Sequence, residues 1–441
     1  MTGAKFLAAF LTLPLLGAGL LLSRRFDWMP RLARGVASVA VGSVLLCGEA
    51  IALTVIGVRW SLPILLAVPV ALSAWALFRR KSTRRVAFAR ARPDRITAVS
   101  LAFLFLAAAA VALLAFAALT ARVTSSDLLL FWAAKGEHFG LAGRIDAAFL
   151  GDPNHRPLHS DYPPLWPCLY AFGVLFAGRF AWGAALATLP LFVLLSVVAV
   201  WSLARLRVPT REASAFAALF ASLFGFLLAV SMTAGNADAP LLFFETIALA
   251  LLVFAREERG AFLLAGVALA GATLLKLEGT AFSWALIGSC LLLIRPLSWR
   301  RGAQLAGPPL VAFIAWYAFC RAHGLIEALG THKALVLTGE RFEVIARGML
   351  SAAALQSWYL PWIIAVFLIV VRKTARTAGF VLLVAGLVAA FDCGIYLTTD
   401  EDPTLWIGWA GLRTLLTPLL ALLIAGMAPS PRPEVEGFTE G

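Results

Sequence analysis

Long apolar runs, separated by short polar or Gly- and Pro-containing breaks, follow one another along almost the whole chain. Within a run neither the polar face of an amphipathic helix nor the alternation of a half-buried strand recurs, so hydrocarbon rather than water has to surround it. Backbone N–H and C=O groups in hydrocarbon must satisfy each other within the segment, which leaves helices; the alternating pattern of a barrel is absent. With roughly 17–25 residues needed per crossing, the pattern predicts thirteen spans, near 5–22, 36–57, 61–78, 98–121, 183–203, 213–233, 239–255, 261–276, 279–294, 305–321, 352–371, 378–397 and 406–427. The expected fold is an all-α polytopic membrane protein.

Composition agrees. Of 441 residues 61% are hydrophobic and 14% charged, and the mean hydropathy of +0.89 exceeds what a soluble surface tolerates. A net charge of +13 would suit nucleic acid, but the basic residues sit in short clusters between runs, as cytoplasmic loops carry them. No nucleic-acid partner is expected. Taking 24–34, 79–96, 204–212, 256–260, 295–304 and 372–377 as inside loops places 23 of the 37 Lys and Arg there, with only five of the 24 acids. The N-terminus is then outside and the C-terminus inside, with 428–441 a disordered cytoplasmic tail. Arg far outnumbers Lys, a usage of GC-rich bacterial genomes, so the expected location is a bacterial inner membrane.

Residues 5–22 lack a small-residue cleavage site before Arg24 and Arg25 and are read as a first helix rather than a signal peptide. The run 164–180 does not fit as a span, because counting it would move the basic loop 204–212 outside; it is laid along the membrane surface. Segment 122–182 becomes a large external region and 322–351 a second, and together they hold His138, His155, His159, His323 and His332. Chemistry is therefore expected on the external face. The five cysteines stand singly in apolar stretches, without metal-type spacing.

Several charged positions are candidates for that chemistry. Asp127 follows the run 98–121 and precedes an amphipathic stretch with Trp132, Lys135 and Glu137; a carboxylate there serves either as a general base at the water interface or as a helix cap. Asp161-Tyr162-Pro163-Pro164-Leu165 starts an aromatic, apolar segment, an interfacial helix or a plain loop end. Asp238 lies in the turn Asn236-Ala237-Asp238-Ala239-Pro240, and Glu245, seven residues on, shares its helix face. Lys276, in Lys276-Leu277-Glu278-Gly279, is placed to pair with either acid or with a substrate phosphate. Arg413 sits in the last run and requires an anion, Asp392 or a lipid phosphate, because an unpaired buried Arg is costly. Glu49, in the second run, has no assigned role.

These motifs, in this order from about 98 to 427, resemble the GT-C superfamily of multi-span glycosyltransferases that use polyprenyl-phosphate sugar donors, such as the protein O-mannosyltransferases and the lipid A aminoarabinose transferases. They look most like a bacterial branch with an Asp followed by Trp-x-x-Lys, an Asp-Tyr-Pro motif, an Ala-Asp-x-Pro turn, a Lys-x-Glu-Gly turn and a late Tyr-x-Thr-Thr, here Tyr396-Leu397-Thr398-Thr399, ahead of an Arg. The resemblance implies a GT-C-like fold whose large first external loop carries surface-lying helices. It also implies Asp127 as catalytic base, Lys276 and Arg413 on the donor phosphate, and Lys135, Asp161, Tyr162, Asp238 and Glu278 around the substrates. Three departures stand out: Ser126 and Leu128 flank Asp127 where many relatives have a second acid, Tyr162 replaces a basic residue before Pro-Pro-Leu, and Trp406 lacks a following His. Residues 1–97 form a three-helix segment outside the resemblance, joined to a 98–427 catalytic module.

The expected activity is transfer of a sugar from a polyprenyl-phosphate donor to a glycan, lipid or protein acceptor, by inverting displacement on the external face. The lipid-linked sugar is a substrate rather than a cofactor; no residue pattern requires a metal, and a divalent ion is left open. Two other classes compete: a secondary transporter using Glu245, Asp238 and Asp392 as an ion path, against which no internal repeat is visible, and an inactive membrane scaffold.

Overall fold

The computed structural model describes residues 1–21, 24–80, 95–120, 127–233, 235–325, 336–355, 359–376, 378–398 and 402–430. The regular elements among them are all helical, as the apolar runs require. Helices α1 (Thr2–Leu21), α2 (Arg31–Val55) and α3 (Leu62–Arg80) open the chain, followed by α4 (Ala98–Thr120). Short α5 (Ala133–Ala142), α6 (Ala147–Gly151) and α7 (Leu165–Ala177) come next, then α8 (Trp182–Ala204), α9 (Thr210–Thr233), α10 (Asp238–Phe254), α11 (Ala261–Leu275), α12 (Leu277–Leu293) and α13 (Trp299–Ala322). The chain closes with α14 (Gly339–Leu355), α15 (Leu360–Arg372), α16 (Gly379–Thr398), α17 (Pro403–Thr414) and α18 (Leu416–Met427).

The axis of the bundle is α10. Apart from Val253, all its residues are buried, as befits a helix apolar on every side. Helices α8, α9, α11 and α18 pack around it. The first two helices belong to the same hydrophobic core, α1 against α7 and α8 and α2 against α8 and α11.

Seven stretches among the described residues are long and apolar enough to cross a bilayer: Thr2–Leu21, Arg31–Val55, Ala98–Thr120, Trp182–Ala204, Trp299–Ala322, Gly379–Thr398 and Ala410–Met427. Shorter apolar helices, among them Ala261–Leu275 and Leu277–Leu293, complete a multi-pass membrane protein, and the count of thirteen long spans is not reached.

Two expected spans are broken. The run 352–371 divides between α14 and α15, because Tyr359 takes a left-handed φ of 61° and Pro361 opens the new helix. The run 406–427 divides at Leu415, where Pro418 lacks the N–H that would bond the Thr414 carbonyl and its ring crowds that carbonyl. The helix expected to lie on the membrane surface, α7, is instead covered by protein: Trp166 and Tyr170 are fully buried, against Phe10 at 6.2 Å and Phe6 at 6.1 Å between ring centres. Its aromatic residues serve the fold's interior, which a periodicity argument cannot tell from lipid.

Candidate active site

Five charged side chains from four parts of the chain meet at one point, and the three acids and Arg413 stand at helix ends that favour their charge. Asp127 opens a π-helical turn, Asp127–Trp132, that runs into α5; it is not the cap of α5, whose preceding residue is Trp132. Asp238 is the first residue of α10 and Glu278 lies in the first turn of α12, where free backbone N–H groups favour an anion. Arg413 lies in the last turn of α17, just before the break at Leu415, where free carbonyls favour a cation.

Two glycines allow the close approaches. Gly235, with φ +76°, precedes the Asp238 turn, and a Cβ there would come within 2.6 Å of the Leu128 Cβ, so the α10 entry packs directly on the Asp127 turn. Lys276, at φ −150° and ψ 159°, is the single extended residue between α11 and α12. That reversal is tight enough that a Cβ on Gly279 would lie 2.1 Å from the Ala272 carbonyl oxygen. Ser283 stitches the hairpin, donating to the Leu269 and Gly279 carbonyls at 3.1 and 2.7 Å.

The charges form one continuous chain. Arg413 Nη1 donates to Asp127 Oδ2 at 3.1 Å, and its Nε donates to Asp238 Oδ2 at 2.7 Å. Lys276 Nζ donates to Asp238 Oδ1 at 2.9 Å and lies 3.1 Å from Glu278 Oε1. The Asp238 side chain is 5% exposed and bridges both cations, whereas the Asp127 side chain is 38% exposed. The inner pairs are thus sequestered and the outer one faces the approach. Removing one partner of such a buried pair leaves an uncompensated charge, at a cost of about 3–5 kcal/mol.

A small cavity of about 20 Å³ adjoins this cluster, lined by Asp238, Lys276 and Arg413 together with Glu245, Asp392 and Thr417. Of the two acids expected for Lys276, Asp238 is its partner, whereas Glu245 accepts from the Thr417 hydroxyl at 2.9 and 3.1 Å; the carboxylates on Arg413 are Asp238 and Asp127 rather than the expected Asp392. Thr417 was not singled out from the sequence; the signal was a hydroxyl four residues beyond Arg413 in a run with few polar residues.

Lys135 and Asp161 lie in a neighbouring cluster. Lys135 is 2% exposed, donates to the His159 carbonyl at 2.9 Å and sits 4.1 Å above the Phe131 ring. Burial pulls its ammonium down to about 7, against the attraction of Asp161. Trp316 Nε1 donates to the Asp161 carbonyl at 2.8 Å, fixing the loop from α13. Tyr162 joins the two clusters: its ring packs on Phe131 at 5.1 Å, and burial, then Glu278, hold its phenol above the ordinary range. Among the histidines, His138 stacks on Phe149 and bonds Asp146 at 3.0 Å, and His155 and His323 bond the Phe149 and Phe319 carbonyls. His332, Thr399 and Ser126 lie outside the described residues.

Comparison with known proteins bears on this arrangement. A family model described as dolichyl-phosphate-mannose-protein mannosyltransferase matches residues 161–322, a stretch that begins at the Asp-Tyr-Pro motif and contains Asp238, Lys276 and Glu278. Among solved structures, ArnT from Cupriavidus metallidurans bound to undecaprenyl phosphate superposes with a TM-score of 0.51 at 18% identity, over 75% of this chain and 60% of that one. The chain has the GT-C fold. It spans about 60% of the ArnT chain it matches, and a search of curated proteins by sequence finds no match. Within the GT-C fold, the Asp127 turn and Arg413 lie outside the matched family stretch and are joined to it by the ion pairs described above.

Proposed function

We propose that this GT-C protein transfers a sugar from a polyprenyl-phosphate donor to an acceptor hydroxyl at the external face of a bacterial inner membrane. The observation that carries this reading is a half-exposed carboxylate, Asp127, sharing one guanidinium with a buried carboxylate, Asp238, that also holds Lys276. A base joined by one ion pair to two neighbouring cations is what displacement of a phosphate leaving group needs. The family description and the undecaprenyl phosphate bound to ArnT support a lipid-phosphate partner.

In the proposed reaction the acceptor oxygen attacks the anomeric carbon while Asp127 takes its proton. The bond from that carbon to the phosphate oxygen breaks, the electron pair leaves with the polyprenyl phosphate, and the anomeric centre inverts. Arg413 and Lys276 offset the charge that develops on the phosphate, in a site where low dielectric strengthens the attraction. Because Arg413 Nη1 already binds Asp127, an arriving phosphate takes that place and releases Asp127 to act as base. Asp238 keeps the guanidinium oriented throughout.

Mass spectrometry of lipid-linked sugars and envelope glycans in cells making wild type, Asp127→Asn or no protein tests the reading. Accumulated lipid-linked sugar together with one missing glycan modification in both altered strains is the expected result. A change in the null strain alone rules out Asp127 as base.

A further inference from the structure

The bundle holds a second charged cavity at the end opposite Asp127. From Asp238 to Phe254, α10 carries the chain about 24 Å at ~1.5 Å per residue, and α11 returns it to Lys276, so the loop between them opens at the far end. This loop, the turn at Arg25 and the start of α13 frame an open cavity of about 430 Å³. Four guanidinium groups line it, from Arg25, Arg259, Arg300 and Arg301. Its two acids are Glu257, engaged by Arg207 at 3.3 Å, and Glu258.

The four arginines come from three separate segments, and among the described residues none forms an ion pair or a side-chain hydrogen bond. Two are held by ring faces, Arg301 over Phe262 at 5.5 Å and Arg300 over Trp299 at 5.8 Å. The loop backbone is fixed by Trp28, whose Nε1 donates to the Arg259 carbonyl at 3.0 Å. Clustering of cations on one side of a membrane explains their presence in these loops, but not the convergence of four of them on one cavity whose lining holds only two acids. The neighbourhood is apolar and outward-facing: Leu291, Leu292 and Leu293 end α12 at 54, 60 and 53% exposure, and Trp299, at 78%, stands at the rim like an interfacial anchor.

We propose that this cavity binds the phosphate headgroup of an anionic membrane phospholipid, with its acyl chains along Leu291–Leu293. Guanidinium groups suit a phosphodiester because their paired donors match its oxygens. The site is independent of the transferase reading and its test does not use transfer activity. Native mass spectrometry of the full chain in detergent, with phosphatidylglycerol and phosphatidylcholine added separately, measures retention. Wild type is expected to prefer phosphatidylglycerol roughly tenfold, and both Arg300→Gln/Arg301→Gln and Arg25→Gln/Arg259→Gln to lose most of that preference. These side chains are exposed, so an unchanged melting temperature accompanies the loss. Equal retention of the two lipids by wild type, or a preference untouched by both double substitutions, overturns the proposal. Displacement of phosphatidylglycerol by millimolar inorganic phosphate assigns the site to a free phosphate and overturns the lipid source.

Discussion

Arg413 is shared between two carboxylates of unequal exposure. Asp238 is enclosed and Asp127 accessible; in the proposed reaction the first orients the guanidinium and the second gives way to the phosphate. Asp127→Asn is therefore expected to lower transfer by about 10²-fold or more, while binding undecaprenyl phosphate more tightly than wild type, because a competitor for Arg413 has lost its charge. Equilibrium binding in detergent checks the second half, and weaker binding would refute the exchange. Lys135 offers a pH test. Its folded pKa, near 7, lies below the ordinary value of about 10.4, so from 7 upward the unfolded chain binds the extra proton and stability rises with pH. Wild type should gain melting temperature relative to Lys135→Met between about pH 7 and 10, and parallel profiles would contradict the assignment.

Among the elements, the α11–α12 hairpin sets the site's geometry. Lys276 points into the ion-pair chain because the reversal is a single extended residue, and Gly279 lets the two helices close behind it. Gly279→Ala forces the Ala272 carbonyl away, so a stability loss of about 1–3 kcal/mol is expected by analogy with overpacked cores. Denaturation in detergent measures that loss, and transfer activity should fall with it as Lys276 shifts; an unchanged protein would mean that the hairpin opens freely. The position of this hairpin was legible as Lys-x-Glu-Gly between the runs 261–276 and 279–294, but the contact of Gly279 with the Ala272 carbonyl that closes it was not. The broken run 406–427 carries the same lesson. Pro418 was visible in the sequence, yet only the structure places the break beside Arg413 and presents that side chain to the site.

For the molecule as a whole, α10 and α11 run between the Asp127 site and the Arg-lined cavity, so these features belong to opposite ends of the bundle. Cysteines introduced at Asn154 and at Arg259, both outside the apolar helices, should react with an impermeant maleimide from opposite sides of sealed vesicles, read against a wild-type background in which four native cysteines are buried and Cys393 is half-buried. Labelling from one side would overturn the topology drawn from the basic loops.

By itself the amino-acid sequence determined the all-α membrane class, the place of most helices and which charges stand isolated in apolar surroundings, because hydrocarbon imposes local rules that apolar run length and isolated charges obey. Tertiary structure alone decided the partnerships: Arg413 with Asp127 across 286 positions and with Asp238 across 175, Glu245 with Thr417, and α7 facing protein rather than lipid. Periodicity reports which side of a helix is apolar, whereas the pairing of distant charges depends on how helices pack, and lipid and a protein interior look alike to an apolar side chain.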